Sequence, residues 1–272
     1  APFRLVVGGG SCDGTLSYTV TLGDAVAVDA TGEVTIMHAG PALIKVTHSG
    51  NTNYLAESYT VSLMVEKANQ ATALTFKLPQ SISYSDGPFQ ISGSGGNGSG
   101  EITYFVSSGS AVEVSKTGMV TILRPGEAVI TAEKVGDIDF LSQKVDLHIN
   151  VKKGAQKALT ISGIPSKVLT GQIPIELIVS GGSGSGILKY KVISGNAVSV
   201  DENGILDILN AGTALLSVSK AEDDYYLATT ETVEIEVGIA VEREPSETPT
   251  QPTAPITEPS PKSTSTVAPV ST

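Results

Sequence analysis

Apolar and polar residues alternate along two stretches of the chain, at residues 144–151 and 233–237. The first reads Lys-Val-Asp-Leu-His-Ile-Asn-Val and the second Val-Glu-Ile-Glu-Val. A two-residue period predicts a β-strand with one buried side and one solvent-facing side. The chain up to residue 240 shows no 3.6-residue period typical of an amphipathic helix, so the pattern predicts an all-β protein.

Shorter apolar runs separated by turn residues predict further strands between residues 71 and 153. The predicted strands are 73–78, 89–91, 102–106, 111–114, 119–123, 128–133 and 145–151. Turns are predicted at 85–88, 116–118 and 124–126, and a glycine loop at 93–100. Seven or eight short strands in about 86 residues are typical of an antiparallel β-sandwich.

The chain contains an internal repeat of 86 residues. Five sets of residues recur at this interval without insertion or deletion: Tyr18, Tyr104 and Tyr190; Gly32, Gly118 and Gly204; Gly40, Gly126 and Gly212; Tyr54, Phe140 and Tyr226; and Val65, Val151 and Val237. We call residues 86 positions apart counterparts. Three copies of one unit therefore extend to about residue 238.

The repeat predicts three domains, at residues 1–67, 71–153 and 157–240, joined by short linkers at 66–70 and 152–156. Pro2 and Phe3 are the counterparts of Pro88 and Phe89, so the first copy is expected to lack its first strand. We expect the natural chain to continue upstream for that reason. Linkers this short predict a rod-like array.

Residues 243–272 differ in composition from the rest of the chain. Pro, Thr and Ser occupy 19 of these 30 positions, and such a segment cannot bury a core. It is predicted to be a disordered linker or stalk. The chain is also expected to continue beyond it.

Charge and cysteine content exclude several classes of function. The net charge of −11 opposes binding to nucleic acid or to an anionic membrane, since both need clustered Lys and Arg. The single cysteine, Cys12, excludes an internal disulfide framework and is expected to be an exposed free thiol. No apolar run is long enough to span a bilayer.

The glycine loop contains a candidate phosphate site, because Gly93, Gly95 and Gly98 fit the spacing G-x-G-x-x-G. The dinucleotide motif requires a helix immediately after this loop. Residues 102–106 instead predict a strand, and the loops at 8–14 and 180–186 do not keep the spacing. The sequence therefore predicts a loop between strands.

The recurring aromatic residues have two possible roles. Tyr18, Tyr104 and Tyr190 lie within apolar strands and are predicted to pack in the cores, with a carbohydrate-binding platform as the alternative. Tyr54, Phe140 and Tyr226 follow polar turns, and we expect them to anchor the loop before the last strand rather than to contact a partner.

Acidic residues and histidines are the candidate metal ligands in this sequence. Acidic residues stand at 137 and 139 in the second copy and at 222–224 in the third, whereas the first copy has Asn51 and Asn53 there. Calcium prefers six or more oxygen ligands, several of them charged, so solvated turns are expected instead. His38, His48 and His148 occupy unrelated positions of the repeat and are predicted to be surface residues. No catalytic, cofactor-binding or metal-binding residue is predicted, and no cofactor.

One stretch of the third copy resembles a known family. Residues 194–201 (Ser-Gly-Asn-Ala-Val-Ser-Val-Asp), Gly204, residues 209–214 (Leu-Asn-Ala-Gly-Thr-Ala) and residues 223–226 (Asp-Asp-Tyr-Tyr) resemble bacterial immunoglobulin-like repeats of the group 2 type. The resemblance covers all three copies. It implies a tandem array of immunoglobulin-like sandwiches in a secreted or surface-anchored bacterial protein, often as a spacer.

These observations predict a non-enzymatic structural region that projects an adhesive or enzymatic module from a bacterial cell surface or wall. Its partners are expected to be flanking domains of a longer polypeptide. Two alternatives stay open. The repeats themselves bind a glycan or a host surface protein through loops 93–100 and 180–186 or through strand edges, or they are accessory domains of a secreted hydrolase.

Overall fold

The computed structural model describes residues 1–240, in which the chain forms 24 strands and no helix. The first copy contains β1 (Phe3–Arg4), β2 (Leu16–Leu22), β3 (Val26–Val28), β4 (Glu33–Ile36), β5 (Gly40–His48) and β6 (Glu57–Val65). The second contains β7 (Thr75–Lys77), β8 (Ile82–Ser83), β9 (Phe89–Gln90), β10 (Ser92–Ser94), β11 (Ile102–Gly109), β12 (Val112–Val114), β13 (Met119–Ile122), β14 (Gly126–Lys134) and β15 (Gln143–Lys152). The third contains β16 (Leu159–Ser162), β17 (Val168–Leu169), β18 (Ile175–Glu176), β19 (Ile178–Gly181), β20 (Leu188–Gly195), β21 (Val198–Val200), β22 (Ile205–Ile208), β23 (Gly212–Lys220) and β24 (Thr229–Gly238).

The second and third copies have the same sheet topology. In the second copy a four-stranded sheet, β11-β14-β15-β8, lies with a three-stranded sheet, β12-β13-β9, and a short pair, β10-β7. The third copy repeats this order as β20-β23-β24-β17, β21-β22-β18 and β19-β16. The predicted fold class, tandem immunoglobulin-like β-sandwiches, is confirmed. The tail at 243–272 lies outside the described residues.

The alternation that predicted the last strand of the second copy is confirmed in β15. Leu147, Ile149 and Val151 are buried, while the polar residues between them face out. Twelve buried residues of both sheets form one core in this copy, and another twelve form a separate core in the third. Burial of this apolar surface is the main force that stabilises each sandwich.

The recurrence of Tyr and Gly at the same interval has a packing explanation. Tyr104 is 5% exposed in the second core, and Tyr18 and Tyr190 pack against the other two cores, which confirms the prediction of core packing. A Cβ atom at Gly204 would lie 2.9 Å from Cζ of Tyr190. Gly204 also has a φ of +84°, which favours glycine. The glycine therefore makes room for the ring while it turns the chain.

Short strands account for the differences from the predicted pattern. The predicted strand 73–78 is ordered as a strand only at Thr75–Lys77. β8, which was not predicted, pairs in parallel with the end of β15, Ile82 facing Val151. β10 takes the first two residues of the predicted glycine loop and pairs with β7. Two- and three-residue strands are too short to show a period.

The first copy has a smaller core than the other two. Its strands form two three-stranded sheets, β2-β5-β6 and β1-β4-β3, and only six residues are fully buried in its cluster. β6 is the outer strand of its sheet. Within the described chain, no helix is long and apolar enough to cross a membrane.

We expect Gly204→Ala to destabilise the third copy more than Gly171→Ala does. Both glycines have positive φ, at +84° and +79°, but nothing lies within 4 Å of a Cβ placed at Gly171. Gly171→Ala should cost about 1 kcal/mol for the backbone alone, and Gly204→Ala about 1–3 kcal/mol more for collision with Tyr190. Amide hydrogen exchange of β23 measures both costs. Equal costs would contradict the packing explanation.

Candidate functional site at the junctions between copies

The glycine loop of the second copy packs against a carboxylate rather than forming a phosphate cradle. β11 follows the loop directly, so the predicted loop between strands is confirmed. A Cβ at Gly98 would lie 2.1 Å from Oδ2 of Asp137. Glycine is needed at this position because the carboxylate occupies the space of a side chain.

The Asp137 carboxylate joins the glycine loop to the turn formed by residues 137–141. Its Oδ2 accepts hydrogen bonds from the backbone N–H of Ser99 at 2.6 Å and from the Ser99 hydroxyl at 3.2 Å. Its Oδ1 accepts from the N–H groups of Asp139 and Phe140 at 3.0 and 2.9 Å. We call residues 51–55, 137–141 and 223–227 the junction turns.

The third copy repeats this arrangement with Asp223. Ser185 donates to Oδ2 from its N–H at 2.6 Å and from its hydroxyl at 3.3 Å. The N–H groups of Tyr225 and Tyr226 both donate to Oδ1 at 2.8 Å. In the second and third copies these donors lower the pKa of the aspartate from its usual value to about 2, and the serine N–H makes the largest contribution to this shift.

The hydrogen bonds to Asp137 and Asp223 argue against calcium binding by these two carboxylates. Both oxygens of each carboxylate face N–H and O–H donors, the reverse of what a cation requires. The described residues also contain no group of three or more His, Cys, Asp or Glu arranged to hold a metal ion. The turns expected to be simply solvated are instead ordered by these carboxylates.

The first copy has the same contact between the glycine loop and the junction turn, but the carboxylate is on the loop and the amide is on the turn. Asn51, the counterpart of Asp137, accepts from the N–H groups of Asn53 and Tyr54 at 2.9 and 3.0 Å. Its Nδ2 donates to Oδ1 of Asp13 at 2.9 Å, and Asp13 is the counterpart of Ser99. The amide is the main cause of a lowered pKa at Asp13.

Each of the two later junction turns binds the linker from the preceding copy. The N–H of Ala68 donates to the Asp139 carbonyl at 2.8 Å, and the N–H of Leu141 donates to the Ala68 carbonyl at 2.8 Å. Gly154, the counterpart of Ala68, makes the same pair of bonds with Tyr225 and Leu227, at 2.8 and 2.9 Å. Both contacts are isolated parallel bridges.

A glutamine two residues further along each linker extends this contact. Gln70 donates from Nε2 to the Leu141 carbonyl at 2.8 Å, and its Oε1 accepts from the N–H of Asn97. Gln156 donates to the Leu227 carbonyl at 2.9 Å and accepts from the N–H of Ser183 at 3.1 Å. Linker, junction turn and glycine loop thus form one hydrogen-bonded unit.

Side chains beside the shared backbone contact differ between the two junctions. At the first, Asp139 accepts from the N–H of Ala39 at 2.9 Å and lies 3.4 Å from Nδ1 of His38. At the second, the Tyr84 ring packs against those of Tyr225 and Tyr226, with centroids 4.9 and 5.3 Å apart. These side-chain contacts are therefore polar at the first junction and aromatic at the second.

An open cleft of about 490 Å³ lies at the first junction. Its apolar walls come from Met64 and Val65 of the first copy and from Ile138 and Leu141 of the second. Glu66 and Lys67 also line the cleft.

Several residue predictions need correction. His38 is not simply a surface residue, because it contacts Asp139 across the junction. Cys12 is free but half-buried, with its sulfur 3.6 Å from Nδ1 of His48. Phe140 and Tyr226 anchor their turns as predicted, yet they also pair with the preceding linker. His148 is exposed, as predicted.

We expect Asp223→Asn to loosen the second junction and Asp223→Asn with Ser185→Asp to restore it. The single change places an amide N–H₂ opposite the Ser185 donors, whereas the double variant reproduces the Asn51–Asp13 pair of the first copy. Amide exchange of Leu227 should be faster in the single variant and near wild type in the double. Asp224→Asn, an exposed neighbour, is the matched control and should change nothing. Equal effects of Asp223→Asn and Asp224→Asn would refute the role of Asp223.

The same carboxylates make the junctions sensitive to acid. Their pKa is about 2 in the folded chain and about 3.9 in an unfolded one, so their contribution to stability is complete above pH 4. It is lost as the pH falls from about 4 to about 2. Exchange of the Leu141 and Leu227 amides, corrected for intrinsic rates, should accelerate over this interval. Constant protection down to pH 2 would contradict the assignment.

No protein-family model matches the chain, and no curated protein matches it either. Among solved structures, Drosophila N-cadherin EC1-3 is similar at 15% identity and a TM-score of 0.35, over 88% of this chain and 92% of that one. Drosophila OTK extracellular domains 3–5 are similar at 10% identity and 0.33, over 83% and 85%. Surface layer protein SbsC domains 1–6 are similar at 13% and 0.29, over 84% and 35%. Similarities at this level carry no argument about function, and the fold assignment rests on the sheets described above.

Proposed function

We propose that this chain is a non-catalytic spacer that holds a neighbouring adhesive or enzymatic module away from a bacterial cell surface. Its three domains would be residues 1–67, 71–153 and 157–240, of the group 2 bacterial immunoglobulin-like type. The spacer would belong to a secreted or surface-anchored protein, and its partners would be the flanking parts of that polypeptide.

The observation that carries this proposal is the repeated hydrogen-bonded contact at both junctions. Interfaces between domains of one chain are often small, and relative motion is then the default expectation. Here the linker, the junction turn and a glutamine are joined at Ala68 and Gln70, and again at Gly154 and Gln156. Because the same backbone contact is present at both junctions, we expect it to restrict bending at each of them.

The chemistry of the described residues fits a spacer better than an enzyme. The aspartates with the most strongly lowered pKa, Asp137 and Asp223, are occupied by backbone donors. The tyrosines that recur every 86 residues pack in or against the three cores. The tyrosines that recur in all three copies therefore serve folding, and the aspartates that recur in the second and third serve the junctions.

Distances measured by pulsed electron paramagnetic resonance between a spin label in the second copy and one in the third test the spacer proposal. Cys12→Ser removes the native thiol, and two cysteines are then introduced at exposed strand positions. The intact junction should give a narrow distance distribution.

Gln156→Ala and Tyr84→Ala should broaden that distribution, because each removes a contact across the junction. The hydrogen bonds lost with Gln156 are each worth about 0.5–1.5 kcal/mol. Tyr59→Ala is the matched control, since Tyr59 is 73% exposed on β6. A broad distribution in the parent chain would overturn the spacer function.

A further inference from the structure

The junction turn of the first copy, residues 51–55, has the geometry of the other two. The N–H of Asn51 donates to the Tyr54 carbonyl at 2.9 Å, matching the bond from Asp137 to Phe140 at 3.0 Å and the bond from Asp223 to Tyr226 at 3.0 Å. Because Asn51 also orders the turn from its side chain, the turn is built without a preceding linker in contact with it.

The backbone groups that bind a linker in the second and third copies have counterparts without a hydrogen-bond partner in the first copy. The counterparts of the linker-binding groups are the Asn53 carbonyl, the N–H and carbonyl of Leu55, and the N–H of Ser11. None of these four has a hydrogen-bond partner within residues 1–240. Leu55 is 94% exposed, whereas Leu141 and Leu227 are 48% and 49% exposed.

We propose that the junction turn at 51–55 is a docking site for the linker of another repeat of the same kind. The argument is continuity with two established contacts, since the same turn binds the same linker at both later junctions. The inference rests on the proposed spacer function, because it names the partner of the array at its first copy.

The two bound linkers define the chemistry of the occupant. Position one carries a small residue in both bound linkers, Ala68 or Gly154, and a Cβ at Gly154 would lie 2.9 Å from the N of Ser85 in the preceding copy. Position three carries Gln70 or Gln156, whose amide donates to the turn and accepts from the glycine loop. The occupant is therefore an extended segment of the form Ala/Gly-x-Gln.

The segment that ends the third copy is poorly suited to bind the same turn in a second molecule. Ala240 is the counterpart of Ala68 and Gly154, but its N–H donates to Oγ1 of Thr170 at 3.1 Å. Residue 242, the counterpart of Gln156, is Glu, and a carboxylate has no N–H to donate. The site therefore selects a linker with glutamine and does not drive end-to-end assembly of this chain.

The test adds a copy of residues 71–173 directly ahead of Pro2, in the register that the repeat defines. This places a linker with Gly154 and Gln156 opposite Leu55. Amide exchange of Leu55 should slow about five- to tenfold relative to the parent chain, the effect of one retained hydrogen bond. Gln156→Glu in the added copy should reverse this slowing, and Lys157→Gln there is the control that should not.

Unchanged exchange at Leu55, with the β14 amides of the added copy protected to show that this copy is folded, would overturn the inference. Self-association of the parent chain in sedimentation would also overturn it, since the occupant would then be a second molecule. Failure of the spacer function has a different signature. Leu55 would be protected while the distance distribution between copies remained broad.

Discussion

The hydrogen bonds accepted by Asp137 and Asp223 set the geometry of the two junctions. The junction turns and the glycine-loop residues that follow β10 and β19 lie outside the sheets, so their N–H groups lack ladder partners and need another acceptor. One carboxylate meets this need for both segments, and charge-assisted bonds of this kind are the stronger ones. The turn is thereby fixed with its carbonyl and N–H directed at the incoming linker.

The junctions combine a constant backbone contact with variable side chains. Ala68 and Gly154 make the same bridge, but His38 and Asp139 flank the first junction and Tyr84 flanks the second. The backbone contact fixes where the linker meets the next copy. The flanking side chains differ, since a histidine–aspartate contact lies beside the first bridge and an aromatic cluster beside the second.

The sequence predicted the fold better than the junctions. The alternation at 144–151 and the 86-residue interval were enough for the sandwiches, because apolar burial leaves a periodic trace. The roles of Asp137 and Gln70 were not predicted. Both side chains bond to backbone groups, and every residue has a backbone, so no particular residue type marks the partner in the sequence. The Leu141 carbonyl also lies 71 residues beyond Gln70. The signal that was available was the recurrence of both residues at the repeat interval, as Asp223 and Gln156.

Backbone ¹⁵N relaxation across residues 1–240 tests most directly whether the junctions hold the copies together. If they do, amides of β5, β14 and β23 will fit a single anisotropic rotational diffusion tensor, with a correlation time for the whole array. Three separate tensors, each with the shorter correlation time of one sandwich, would show that the copies tumble independently and would contradict the account.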